Sequence, residues 1–99
     1  MRSPKVLNHV WHRNVPATWA NRSLWRTDIP ASVLSNPDVH SVCYRLASGL
    51  CVLIRIADLR DSVWDAPRRT SGKVGPFYVD PLAKTVNGWS SSMDVQTTA

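Results

Sequence analysis

This sequence of 99 residues lacks three features that would assign it to a familiar class. Its two cysteines, Cys43 and Cys51, are too few for a disulfide framework and fit a reducing compartment, so we expect a cytoplasmic protein. The longest apolar run covers residues 50–54, whereas a membrane-spanning helix needs about 20 apolar residues. No sustained apolar stretch follows the basic start, so we expect no signal peptide.

Glutamate is also absent, so all seven acidic residues are aspartates, and nine of the 12 basic residues are arginines. Because glutamate is a good helix former, its absence favours a domain with few exposed helices. The arginine excess bears on contact chemistry, since a guanidinium group binds phosphates and carboxylates bidentately and stacks on aromatic rings.

The first 26 residues contain no acidic residue and carry the whole net charge of +5. The basic and tryptophan residues of this stretch are Arg2, Lys5, Arg13, Arg22, Arg26, Trp11, Trp19 and Trp25. In the remainder of the chain, the basic residues balance the aspartates. A basic segment rich in tryptophan is typical of a surface that binds polyanions.

The clearest local pattern is a β-hairpin over residues 41–56, in which two apolar segments flank Ser48-Gly49. A two-residue turn there places Cys43 opposite Ile54. The two cysteines then point to opposite faces of the sheet, which disfavours a disulfide between them. The second strand is apolar on both faces, so we expect a sheet covered on both sides.

A second hairpin is predicted at Asn87-Gly88, which would pair Val86 with Trp89 and Leu82 with Met93. Two short helices are predicted after the capping residues Asn14 and Asp28, each with a proline in its first turn, and a helical turn around residues 56–63. Residues 65–76 are predicted to form a loop because they are rich in proline and glycine.

We therefore expect a small single α+β domain over residues 1–89. Its antiparallel sheet would be built around the central hairpin (41–56), with two or three short helices. Residues 90–99 would form a C-terminal edge strand or a frayed tail.

The segment from Arg68 to Lys73 is a candidate phosphate site, because three cations, two hydroxyls and a glycine lie within six residues. It lacks the first glycine of a Walker A loop and its spacing. Trp64 precedes it as a candidate stacking partner. A solvated surface loop, whose charges only keep the protein soluble, is favoured over a phosphate contact.

The tryptophans divide into two groups. Trp19 falls at a helix start and is expected in the core. Trp11 lies near Arg13, and Trp25 lies beside Arg26, so these two are candidates for exposed stacking or interface residues. For each of them, core packing is favoured over these roles.

Metal and enzyme chemistry are not expected. His9, His12, His40 and Cys43 have short zinc-like spacings, but residues three apart on a strand point to different faces. The aspartates around residues 58–65 fit turn capping better than a nuclease site. We find no catalytic pattern or family signature, and we expect no cofactor.

We therefore predict a non-enzymatic small basic module that contacts nucleic acid or a nucleic-acid-bound complex. The residues expected to bind are Arg2, Lys5, Trp11, Arg13, Arg22, Trp25, Arg26, Arg68, Arg69 and Lys73. The alternative is a protein-binding inhibitor or adaptor, such as an anti-defence protein of a phage or mobile element, that docks on an acidic protein. A groove of basic residues would favour nucleic acid, and an apolar patch ringed by them would favour a protein partner. No membrane partner is expected, and the oligomeric state is open.

Overall fold

Two β-sheets that share one hydrophobic core form this small single domain, with few helices. The computed structural model describes residues 9–62, 68–70 and 72–97, and for residues 62 and 68–70 it describes the backbone alone. The strands are β1 His9–Val15, β2 Trp25–Pro30, β3 Val39–Leu46, β4 Leu50–Arg55, β5 Arg68–Thr70, β6 Lys73–Asp80, β7 Thr85–Val86, β8 Trp89–Ser90 and β9 Asp94–Thr97. The helices are a 3₁₀ helix at Ala17–Asn21, α1 Ala31–Ser35 and α2 Ile56–Ser62.

The first sheet has the strand order β1-β3-β4-β9, and the second has the order β2-β6-β7-β8, with β5 paired to the first part of β6. In the part of the chain that the structure describes, the strand pairs are antiparallel except β1 and β3, which run parallel. A parallel pair needs a long connection, and here that connection contains the 3₁₀ helix, β2 and α1. The sequence predicted one antiparallel sheet, whereas the structure has two sheets. No local pattern in the sequence indicates that β2 pairs in a different sheet from β1 and β3.

The core is built from the inward-facing residues of both sheets, together with α2. From the first sheet it includes Tyr44 and Ile54, which are fully buried. From the second it includes Trp25 and Phe77, which are 1% and 0% exposed. Along β2, residues 25, 27 and 29 are buried and residue 26 is exposed, which is the alternation of a strand with one face on a core.

The central hairpin forms, but its register differs by one residue from the prediction. Tyr44 pairs with Val52, and a three-residue connection ends at Gly49, whose φ is +101° and whose N–H donates to the carbonyl of Leu46 at 2.9 Å. A slip of one residue exchanges the faces of a strand. Cys43 and Cys51 therefore share the outer face of the first sheet, contrary to the prediction, and both are free thiols.

The predicted helix caps are wrong. Asn14 lies in β1 and Asp28 in β2, and the helices begin directly after Pro16 and Pro30. These prolines hold the cap positions, and neither helix start has a side-chain cap hydrogen bond. The alternating burial of β1 and β2 extends each strand up to the proline, so tertiary packing outweighs the local capping signal.

The predicted loop at residues 65–76 contains two paired strands. β5 and β6 pair antiparallel, and Gly72 lies between them with a φ of +76°. Glycine adopts such positive φ values without strain, which explains why a glycine-rich segment forms a tight hairpin. Residues 65–67 and 71 lie outside the described residues.

The Asn87-Gly88 turn is confirmed, because Val86 pairs with Trp89. Both turn residues have positive φ, +51° and +82°, as a type I′ turn requires. The pairing ends after two residues, so the predicted contact of Leu82 with Met93 is wrong: Leu82 is 94% exposed and Met93 is buried. β9 then pairs with β4 at the edge of the first sheet.

Candidate functional site

A cleft of about 350 Å³ lies where β1 of the first sheet meets β2 and β6 of the second. Its lining residues are Arg13, Arg26, Thr27, Asp28, Lys73, Gly75 and Pro76. Among these described lining residues three are cations, and Asp28 is the one carboxylate. The cleft is therefore a concave surface with net positive charge.

A β-bulge in β6 shapes the floor of the cleft. Thr27 pairs with Phe77 and Ile29 pairs with Val74, so that two residues of β6, Gly75 and Pro76, stand opposite Asp28 alone. The backbones approach closely here, since a Cβ on Gly75 would lie 2.8 Å from the Cβ of Asp28. Only glycine permits this approach, because real Cβ atoms do not come so near another carbon.

The guanidinium of Arg13 is held in place at the cleft wall. Its Nη1 donates to Thr27 Oγ1 at 3.1 Å and to the carbonyl of Asp28 at 3.3 Å. The carboxylate of Asp28 lies 3.8 Å from the same nitrogen. Both side chains are partly exposed, so this ion pair contributes about 0–1 kcal/mol to stability. The contacts with Thr27 and Asp28 instead orient the Arg13 side chain, which connects β1 of the first sheet to β2 of the second and lies at the cleft.

A buried hydroxyl lies behind Arg13. Thr27 Oγ1 is 3.1 Å from the hydroxyl of Tyr44, which is fully buried. Burial disfavours the phenolate and raises the pKa of Tyr44 to about 12, although the hydrogen bond with Thr27 and the charge of Arg13 act in the opposite direction. Tyr44 is therefore neutral at physiological pH and adds no negative charge behind Arg13.

Trp19 connects the cleft to a further cation. The guanidinium carbons of Arg13 and Arg22 lie 5.9 Å and 5.6 Å from the centroid of the Trp19 ring, which is within the range of a cation–π contact. The indole itself is 8% exposed, so the two guanidinium groups cover the ring and lie between it and the solvent. We call the resulting set the basic strip, and it consists of Arg22, Arg13, Arg26 and Lys73.

The structure corrects the expectation for Trp25. This side chain is 1% exposed and lies edge-on to both Trp19 and Tyr44. Its Nε1–H donates to the carbonyl of Trp19 at 2.9 Å. A core position with a satisfied N–H leaves no surface on which a base could stack. Trp19 is confirmed as a core residue, and Trp11 is partly buried against the same core.

The other residues predicted to bind are placed less fully. Arg2 and Lys5 lie outside the described residues, as does Trp64. The backbones of Arg68 and Arg69 pair with Gly75 and Val74 of β6, so both positions are next to the strand that lines the cleft.

Sequence reasoning missed Tyr78. It pairs with Arg26 across β2 and β6, and its side chain is 39% exposed. The signal was present, because Phe77 and Val79 on either side are buried and a strand alternates its faces. Sequence analysis also did not predict that the cleft is lined by Asp28, Gly75 and Pro76. These residues come together at the β-bulge, which no local sequence pattern indicates.

Within residues 9–62, 68–70 and 72–97, no group of three or more histidine, cysteine or acidic side chains is arranged to hold a metal ion. His9 and His12 lie on β1, and His40 and Cys43 lie on β3. No helix in the described part of the chain is long and apolar enough to cross a membrane. The chain matches no known family, no curated protein and no solved structure.

Proposed function

We propose that this protein is a non-enzymatic module that binds nucleic acid through the basic strip. The observation that carries the proposal is the convergence of Arg13, Arg26 and Lys73 on one cleft, although Lys73 is 60 residues from Arg13 in the chain. Cations that line a groove, rather than ring an apolar patch, favour nucleic acid over a protein partner.

The chemistry of the cleft fits a phosphodiester. Arginine donates two parallel hydrogen bonds to a phosphate, and Lys73 supplies a mobile point charge. Arg13 is already oriented by Thr27 and the Asp28 carbonyl, so less side-chain entropy is lost when it meets an anion. A volume of about 350 Å³ accommodates a phosphate with its sugar, and Arg22 extends the positive surface beyond it.

Tyr78 provides the second element of a nucleic-acid surface. Directly paired residues on an antiparallel sheet have Cβ atoms about 5 Å apart, so the ring of Tyr78 lies beside the exposed side chain of Arg26. An aromatic ring next to a phosphate-binding cation permits a base to stack while its backbone is held.

The test is binding of a fluorescently labelled oligonucleotide, single-stranded and duplex, measured by anisotropy over a series of salt concentrations. If the four cations of the basic strip each neutralise a phosphate, log affinity should fall against log salt with a slope of about −3 for a single strand and about −4 for a duplex. Arg26→Gln should weaken binding and make the slope shallower by about 1.

Arg45→Gln is the matched control, because Arg45 is exposed on the outer face of the first sheet and lies outside the cleft. It should leave both the slope and the affinity near those of the unmodified chain. Binding without a salt slope, or an equal effect of both substitutions, would contradict the proposal.

A protein-binding inhibitor or adaptor is the second candidate, and one observation favours it. Leu82, in the turn after β6, is 94% exposed, and Trp89, in β8, is 56% exposed. Exposed aromatic and aliphatic side chains are typical anchors of protein interfaces. A pull-down from the source cell with and without nuclease treatment separates the two functions: a partner retained after nuclease would support the protein interface.

A further inference from the structure

A second pocket, of about 230 Å³, opens at the end of the first sheet where β4 passes into α2. Its lining residues are Pro37, Val39, His40, Arg55, Ile56, Ala57 and Arg60. Its described lining residues differ from those of the cleft of the basic strip. They include two arginines and a histidine, and none of them is a carboxylate.

Arg60 is fixed before any ligand arrives. Its Nε and Nη2 both donate to the carbonyl of Leu34, at 2.8 and 2.6 Å. A single carbonyl oxygen occupies one edge of the guanidinium, and the donors of Nη1 remain for another acceptor. The carbonyl holds the side chain at the pocket without neutralising its charge.

His40 is oriented in a similar way. Its Nδ1 lies 2.8 Å from the hydroxyl of Ser41, which is buried. This contact fixes the ring and leaves Nε2 for a ligand. Ser41 pairs with Arg55 across β3 and β4, so His40 and Arg55 lie on neighbouring strands at the same end of the sheet.

The pocket concentrates positive charge that no carboxylate of the described residues pairs with at close range. Among the described residues no carboxylate lies within 4.0 Å of Arg55 or Arg60, and the ion pair that is present joins Arg13 to Asp28 in the other cleft. Like charges held together raise the energy of the unoccupied pocket, and an anion relieves it. We propose that His40, Arg55 and Arg60 form a second anion site that binds a phosphate group.

The size of the pocket limits the ligand. A volume of about 230 Å³ lies below the range of about 300–1,000 Å³ that holds drug-sized molecules. A phosphate group suits the lining because it has several oxygens, and donors that approach from two strands and a helix can each reach a different one. The phosphate belongs either to a small molecule or to one nucleotide of a strand.

Inorganic phosphate is the first probe, titrated into ¹⁵N-labelled protein at constant ionic strength and followed by amide chemical shifts. We expect saturable shifts at His40, Arg55 and Ala57, with a dissociation constant of about 1 mM or tighter. Arg55→Gln should weaken this binding about tenfold or more, because hydrogen bonds to charged groups contribute at least that much. Arg55 has an exposed side chain, so the variant is expected to fold.

Arg60→Gln is the second variant, since it removes a cation from the helix side of the pocket. Arg26→Gln is the matched control, because it alters the other cleft and should leave the shifts at His40 intact. Shifts that grow linearly with phosphate, or that survive Arg55→Gln and Arg60→Gln unchanged, would overturn the proposal whatever the outcome for the basic strip.

A second arm identifies the source of the phosphate. If the pocket binds a nucleotide of a strand, Arg55→Gln weakens oligonucleotide binding and reduces its salt slope by about 1. If it binds a small molecule, oligonucleotide affinity stays unchanged while a nucleoside monophosphate shifts His40 and Arg55. Both results presuppose the phosphate titration above, which alone decides whether the site exists.

Discussion

Replacement of Gly75 by alanine tests the geometry on which the cleft depends. The new Cβ would lie 2.8 Å from the Cβ of Asp28, 3.0 Å from its Cα and 3.1 Å from the carbonyl oxygen of Thr27. Two of these three atoms belong to the backbone of β2, so no rotation of a side chain relieves the contact. Either β2 moves away from β6, or the bulge is lost.

The cost has two sources. Overpacking against a fixed backbone costs about 1–3 kcal/mol, and the φ of Gly75, +155°, is one that other residues rarely adopt. Gly88→Ala is the matched control, since Gly88 also has a positive φ, +82°, but no atom of the described residues lies within 4 Å of its added Cβ. Gly75→Ala should therefore lose about 2 kcal/mol more than Gly88→Ala, which lowers the melting temperature by a further 8–16 °C or so.

The assay is thermal unfolding followed by circular dichroism, with urea denaturation to give the free energies. Equal melting temperatures for the two variants would refute the reasoning, because the close approach of Asp28 to Gly75 would then not exist. A Gly75→Ala protein that folds should also bind oligonucleotide more weakly, since Asp28 positions Arg13.

Two further substitutions probe the side chains around the cleft. Trp25→Phe should lower the free energy of unfolding by about 2–3 kcal/mol, because it removes a buried hydrogen bond to Trp19 and leaves a void. The oligonucleotide affinity of the folded variant should stay within twofold of the unmodified protein. A tenfold loss of affinity at unchanged stability would instead support a stacking role for Trp25. Tyr44→Phe tests the raised pKa of Tyr44, about 12 against an ordinary value of 10.0. Between these values the unfolded chain loses the phenolic proton and the folded chain keeps it, so the free energy of unfolding falls by about 3 kcal/mol as pH rises through this window. Urea denaturation at pH 8 and at about pH 12 should show most of this decline in the unmodified protein and a smaller one in Tyr44→Phe. Identical declines would contradict a buried, neutral Tyr44.

A turn could be predicted from the sequence where its residue types decide the backbone geometry. Asn87-Gly88 predicted the pairing of Val86 with Trp89, because a type I′ turn demands positive φ at two successive residues. The sequence did not determine the register of the central hairpin. Gly49 can end either a two-residue or a three-residue connection, and the choice between them moves every partner by one position and exchanges the faces.

Contacts between distant segments could not be read in the same way. The acid-free segment contributed three cations of the basic strip, Arg13, Arg22 and Arg26, and their charge was evident from the sequence. Lys73 joins them because β2 pairs with β6, a contact that depends on how two sheets share a core. The burial of Trp25 follows from the same packing, although the alternation of residues 25–29 already indicates a strand with that side chain inward.

Chemical shift mapping with an oligonucleotide tests the central claim most directly. ¹⁵N-labelled protein is titrated with a short single strand at low salt, and the amides that shift are placed on the structure. We expect saturable shifts concentrated at Arg13, Arg26, Thr27 and Lys73, which in the Arg26→Gln variant saturate only at higher oligonucleotide concentration. Shifts confined to the surface around Leu82 and Trp89, with the cleft unaffected, would contradict binding through the basic strip.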